Sequence, residues 1–91
     1  MTNAARFPCP CCGFLTLSRA PPGTYELCPI CYWEDDFVQF NDPEYRGGAN
    51  RESLAEARQN FAAFGAIAET WRRCVRPPRA DEYPPPMRNG S

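Results

Sequence analysis

The sequence predicts a small α+β domain: a β-hairpin that carries two cysteine turns, followed by one or two helices. Three observations predict it. Four of the six cysteines form two matched pairs, Cys9-Pro10-Cys11-Cys12 and Cys28-Pro29-Ile30-Cys31, with fifteen residues between the pairs. Short β-prone segments occupy that gap. A single apolar stripe at helical spacing follows Ser53.

The pairs come first because they set the class. The spacing C-x2-C-x15-C-x2-C is that of a structural zinc site. Two intervening residues let one tight turn offer both sulfurs to one ion, and zinc takes four such ligands as a tetrahedron. Proline after the first cysteine of each pair stiffens the turn. The expected ligands to one structural zinc ion are Cys9, Cys12, Cys28 and Cys31. Cys11 then takes the variable position of the first knuckle, where Ile30 sits in the second. Its ordinary role is a small, partly exposed neighbour of the metal, and its sharper role a spare thiol able to replace a ligand. Gly13 after Cys12 accepts φ > 0 readily, and Tyr32 after Cys31 does not, so the knuckles are expected to differ. Cys74 reads as a buried or half-buried apolar filler. A disulfide framework or a four-sulfur iron site is the alternative use of these cysteines.

Between the knuckles, Phe14-Leu15-Thr16-Leu17 and Thr24-Tyr25-Glu26-Leu27 read as strands. The turn signal Pro21-Pro22-Gly23 lies between them. Pairing these strands brings both knuckles to one end, the zinc-ribbon arrangement. Trp33 and Phe37 are large enough to form much of the core against the metal. Glu34, Asp35 and Asp36 make an acidic run, read as a solvated turn with helix-start character or as a surface for an ion or a partner's arginines. The stretch from Asn41 to Asn50 is a loop, broken by Pro43 and Gly47-Gly48.

Ser53-Leu54-Ala55-Glu56 matches a capping box, with Asn50 as the alternative cap. The stripe then runs through Leu54, Ala57, Phe61, Phe64, Ala68 and Trp71. Gly65 ends or weakens the first helix. A second short helix is expected from about Ile67 to Arg73. Five prolines lie after residue 76. The expected organisation is a flexible N-terminus (1–6), one zinc-ribbon-like domain with a helical C-terminal part (7–76), and an extended or disordered Pro-rich tail (77–91) that can drape over the domain by Tyr83.

Composition narrows the function. The 91 residues suffice for one domain, and chains this short often need a metal or disulfides to fold. Ten basic residues, all arginine, face eleven acidic ones, and the formal charge is -1. Four thiolates with a bound Zn²⁺ take it to about -3. That balance disfavours nucleic acid, although Arg72, Arg73, Arg76 and Arg79 cluster. Without histidine there is no catalytic triad or Cys-His pair. No signal peptide or membrane helix is apparent, so a cytoplasmic protein without a membrane partner is expected.

The residues so far resemble a known family. Phe7-Pro8-Cys9-Pro10-Cys11-Cys12-Gly13, Tyr25-Glu26-Leu27-Cys28-Pro29-Ile30-Cys31 and Trp33-Glu34-Asp35-Asp36 are similar to the bacterial CPCC cysteine-rich family. Asp42-Pro43, Gly47-Gly48-Ala49-Asn50, Ser53-Leu54, Glu56-Ala57-Arg58, Phe64-Gly65 and Val75-Arg76-Pro77-Pro78 extend the resemblance to about residues 7 to 80. It implies a small bacterial cytosolic protein with a zinc-binding module, and little about activity.

A closed four-thiolate site leaves zinc no open position for substrate, so the sequence points to a non-enzymatic module for a protein partner. No catalytic residue is assigned. The partner or ion surface is read at Glu34, Asp35, Asp36, Asp42 and Asn50. One alternative is a hydrolase or nuclease that holds a divalent ion on Glu34, Asp35, Asp36 and Asp42, with Arg46 or Arg51 facing a phosphate. A second is a nucleic-acid-binding ribbon that stacks bases on Tyr25, Tyr32 and Trp33. A third is redox or metal sensing through Cys11.

Overall fold

At Cys9–Cys12 the chain reverses within four residues, and this reversal sets the first strand pairing. A computed structural model describes residues 6–85. Strand β1 (Phe7–Pro8) runs antiparallel to β2 (Leu15–Leu17), with Phe7 opposite Leu17 and Pro8 opposite Leu15. The strand expected at Phe14–Leu17 therefore forms, but its partner is Phe7–Pro8 and not Thr24–Leu27. The two loops are equally long, six residues each, so chain entropy does not choose between them. The backbone bonds within the first knuckle, Cys9 N–H to Phe14 O and Gly13 N–H to Cys9 O, hold the observed pairing. Thr24–Leu27 pairs forward instead. Leu27 bridges Glu34, Tyr25 N–H donates to Asp35 O (2.9 Å), and Asp35 N–H donates to Glu26 O (3.0 Å). Each knuckle thus sits at the tip of its own hairpin-like reversal.

Helix α1 (Phe37–Asn41) follows the acidic run. Asp36 caps it, its carboxylate accepting from Gln39 N–H at 2.9 Å. The cap fixes the phase of this short helix so that Gln39 points inward. Trp33 is fully buried, as its size suggested, but Phe37 is 57 % exposed and is not core. The phase of the cap is the reason.

Gln39 organises the loop after α1. Its amide Nε2 donates to the carbonyls of Tyr45, Asn50 and Glu52 at 2.9–3.0 Å. Its Oε1 accepts from the backbone and side chain of Asn50. Gly48 lies so close that a Cβ there would stand 2.9 Å from Asp36 Oδ2 and Gln39 Cδ. The expected reversal is present, and it is wrapped around one amide.

Helix α2 (Leu54–Phe64) begins and ends where its local signals lie. Ser53 Oγ accepts from Glu56 N–H (3.1 Å), and Glu56 Oε1 accepts from Ser53 N–H (3.0 Å). Asn50 is not the cap. Gly65 closes the helix at φ 88°, donating to Phe61 O. Leu54 and Ala57 are buried against Trp33, Ile30 and Ile67, with Phe61 and Trp71 packed at the edge. The second helix shrinks to a 3-10 turn, Glu69–Trp71. Ile67 donates its N–H to Cys31 O (2.9 Å), and its carbonyl accepts from Asn60 Nδ2 (2.8 Å), so both groups are lost to a helix. Cys74, in the turn beyond, is exposed and is not an apolar filler.

The chain then returns across the domain. Arg76 N–H donates to Pro29 O at 3.1 Å. Glu82, in the 3-10 turn Ala80–Glu82, is 1 % exposed and accepts from both Arg76 guanidinium nitrogens (2.9 and 2.7 Å) and from Arg79 N–H (2.7 Å). Tyr83 sets its ring against Phe14, edge to face at 5.0 Å. Residues 77–85 of the expected tail therefore pack on the domain through Glu82 and Tyr83. The expected flexible N-terminus, apart from Arg6, and the tail from residue 86 lie outside the described residues. No helix among the described residues is long and apolar enough to cross a membrane.

Candidate metal centre

The two Cys-Pro-x-Cys segments adopt one backbone design. In the first, Cys9 N–H donates to Phe14 O (2.9 Å) and Gly13 N–H to Cys9 O (2.8 Å). In the second, Cys28 N–H donates to Trp33 O (2.9 Å) and Tyr32 N–H to Cys28 O (2.8 Å). The residue after each pair is left-handed, Gly13 at φ 82° and Tyr32 at φ 78°. The expectation that the knuckles differ is thus corrected at the backbone. A left-handed tyrosine is strained by about 1–2 kcal/mol. Its ring stacks on Trp71, centroids 4.6 Å apart and planes at 26°, a contact of the size that offsets such strain.

These turns bring four thiols together. Sγ of Cys9 lies 3.6 Å from Sγ of Cys31, and Sγ of Cys12 lies 3.7 Å from Sγ of Cys28. All four ligand atoms lie within 4.8 Å of one another. Cys9, Cys28 and Cys31 are buried and Cys12 is half-buried. The sulfurs are too far apart for disulfides, which need about 2.05 Å. The 3.6 and 3.7 Å contacts both cross from one knuckle to the other, so an ion at the centre would link both turns.

Two further donors serve this cluster. Thr16 Oγ1, on β2, donates to Cys28 Sγ at 3.1 Å, and Cys11 N–H donates to Cys9 Sγ at 3.4 Å. Such donors stabilise thiolate. Hydrogen bonds from Cys12 and then Cys31 pull the Cys28 thiol down. Cys9 is pushed up, first by Cys12, and Cys12 is pushed up, first by Cys28. Cys31 is pushed up, with Cys11 the largest cause. Four thiols in contact cannot all ionise without a cation among them. The arrangement suits a divalent ion that replaces the protons.

The other predicted site residues are placed differently. Asp35 is fully buried, and its Oδ2 accepts from Thr24 N–H at 2.8 Å. Asp36 serves the α1 cap and also accepts from Ala49 N–H at 2.9 Å. Asn50 pairs with the backbone of Glu34 through both side-chain atoms, at 2.8 Å each. Asp42 is exposed and accepts from Glu44 N–H. These side chains hold the loop to the acidic run. Sequence reasoning missed Gln39, Thr16 and Glu82. Gln39 carried no signal, because the apolar pattern of α1 placed Phe37 inward.

Paired knuckles with four converging thiols, hairpins and a covering helix define a small cysteine-rich protein built around a cluster compatible with metal binding. The chain belongs to the cysteine-rich CPCC family, whose model matches residues 7–82. The match includes Glu82, the residue that fastens the C-terminal segment. No curated protein matches the chain.

Proposed function

We propose that Cys9, Cys12, Cys28 and Cys31 hold one structural zinc ion, and that the folded domain is a cytoplasmic protein-interaction module without catalytic activity. One observation supports the reading: the four sulfurs lie within 4.8 Å of one another, and two of their separations match the edges of a zinc tetrahedron. Zinc–sulfur bonds of about 2.3 Å give sulfur–sulfur edges of about 3.8 Å. The Cys9–Cys31 and Cys12–Cys28 pairs stand at 3.6 and 3.7 Å. Four soft ligands, three of them buried, favour zinc held for structure over zinc with a place for substrate. The interaction reading rests on that closed set and on the apolar surface that the domain leaves exposed.

Elemental analysis of protein purified without chelator tests the metal. One zinc per chain with two titratable thiols, Cys11 and Cys74, is the expected result. Iron, or no metal with four or more reactive thiols, refutes it.

A further inference from the structure

Helix α1 is built inside out. Its one buried side chain is the polar Gln39, while Phe37 is 57 %, Val38 50 % and Phe40 36 % exposed. This orientation is enforced, since the Gln39 amide is fixed by hydrogen bonds on both its oxygen and its nitrogen. Tyr25 and Tyr45 are also exposed nearby. A Cβ on Gly23, two residues before Tyr25, would touch Phe37, and Tyr45 O is bonded to Gln39. Clustered exposed apolar side chains on so small a domain mark an interaction surface.

Charge says what covers it. From Arg19 to Arg46 the chain has six carboxylates and no basic residue between. Asp35 and Asp36 are buried and Glu26 is paired, so the rim of the face is Asp42 and Glu44, with the half-buried Glu34. The whole apolar set lies in that stretch. Asp42 and Glu44, just past α1, form no ion pair among the described residues, whereas Arg19 and Arg46 are held by Glu26 and Glu56. An anionic membrane is repelled by such a rim. A second copy docked through the same face would meet its own carboxylates. Resting on the interaction reading above, we propose that the α1 face binds a protein segment that presents apolar side chains flanked by lysine or arginine.

Two synthetic amphipathic helical peptides with one leucine pattern, the first carrying lysine and the second glutamate at polar positions, test this against the metal-loaded full chain. The lysine peptide is expected to bind and the glutamate peptide to bind much more weakly. Phe37→Ser with Val38→Ser should weaken binding by about tenfold or more, as loss of apolar anchors does. Asp42→Asn with Glu44→Gln should weaken it less and flatten its salt dependence. Unchanged metal content and Trp33 fluorescence show that each variant is folded. Equal binding of both peptides overturns the proposal. So does dimerisation that Phe37→Ser and Val38→Ser abolish, or tighter binding to phosphatidylserine vesicles than to the lysine peptide. Lysine-peptide binding that survives both double variants refutes the α1 face alone. Failure to bind either peptide overturns the proposal for the α1 face, whereas the metal content, read on the same sample, decides the structural-zinc reading separately.

Discussion

At Gly48 a single methyl group is excluded by two side chains that have no room to retreat. Asp36 holds both the α1 cap and Ala49, and Gln39 holds three carbonyls. Gly48→Ala is therefore expected to lower stability by about 1–3 kcal/mol, the usual range for overpacking. Denaturant titration of the metal-loaded protein measures it, and an unmoved midpoint would show that the loop yields freely. Tyr32 offers the opposite lesson, because a residue unsuited to φ 78° is retained where its ring has Trp71 to stack on.

Elements divide by how local their causes are. Helix α2 was legible because its start and stop are written within four residues: Ser53 with Glu56, then Gly65. Ser53→Ala should cost about 1 kcal/mol, and Gly65→Ala, at φ 88°, about 1–2 kcal/mol. Thermal melts of both variants check these values, and an unmoved Tm in either removes that cap from the account. The four cysteines were legible for the same reason, as spacing within each turn. The partner of β2 and the fate of Ile67 were not. They depend on contacts from elsewhere, Phe7–Pro8 in one case and Cys31 O in the other, and no local pattern encodes them. The C-terminal 3-10 turn is of that kind as well. Arg76 beside Glu82 holds its carboxyl down to about 2 from an ordinary 4.5. A lowered folded value means stability that is complete above pH 4.5 and lost as pH falls toward 2. Glu82→Gln should cost about 2 kcal/mol near neutrality, as charged hydrogen bonds do. Its gap from the parent protein should narrow below pH 4.5, and a gap constant down to the lowest pH at which both fold would exclude this linkage.

For the whole molecule, the cysteine cluster and the core are one body. Cys9, Cys28 and Cys31 pack directly with Trp33, Leu54 and Ile67. If the proposed ion is held there, removing it would leave four thiols that must reprotonate in that core. A strong chelator at neutral pH is expected to abolish the near-UV signal of the tryptophans, Trp33 and Trp71, together with the helical signal of α2. Cys31→Ser should do the same without chelator. A helix that survives either treatment would show that α2 folds independently of the cluster.

The two knuckles share a backbone design but not a covering. The carbonyls of Pro29 and Cys31 are each taken by chain from the far C-terminal side, through Arg76 and Ile67. Among the described residues, the carbonyls of the first knuckle receive a side-chain bond only from the exposed Arg58 guanidinium, on Pro10 O, and Cys12 is half-buried. An ion held in the cluster would thus have a sealed back and a thinly guarded front. Exchange should be directional, with Cys12 the first ligand to let go and Cys28 and Cys31 the last. Arg58→Ala should then speed transfer of the ion to a competing chelator more than Glu82→Gln, whose carboxylate is bonded to Arg76 at the back and also pairs with Arg6 before β1. Equal acceleration in both variants would mean that release requires the whole domain to open.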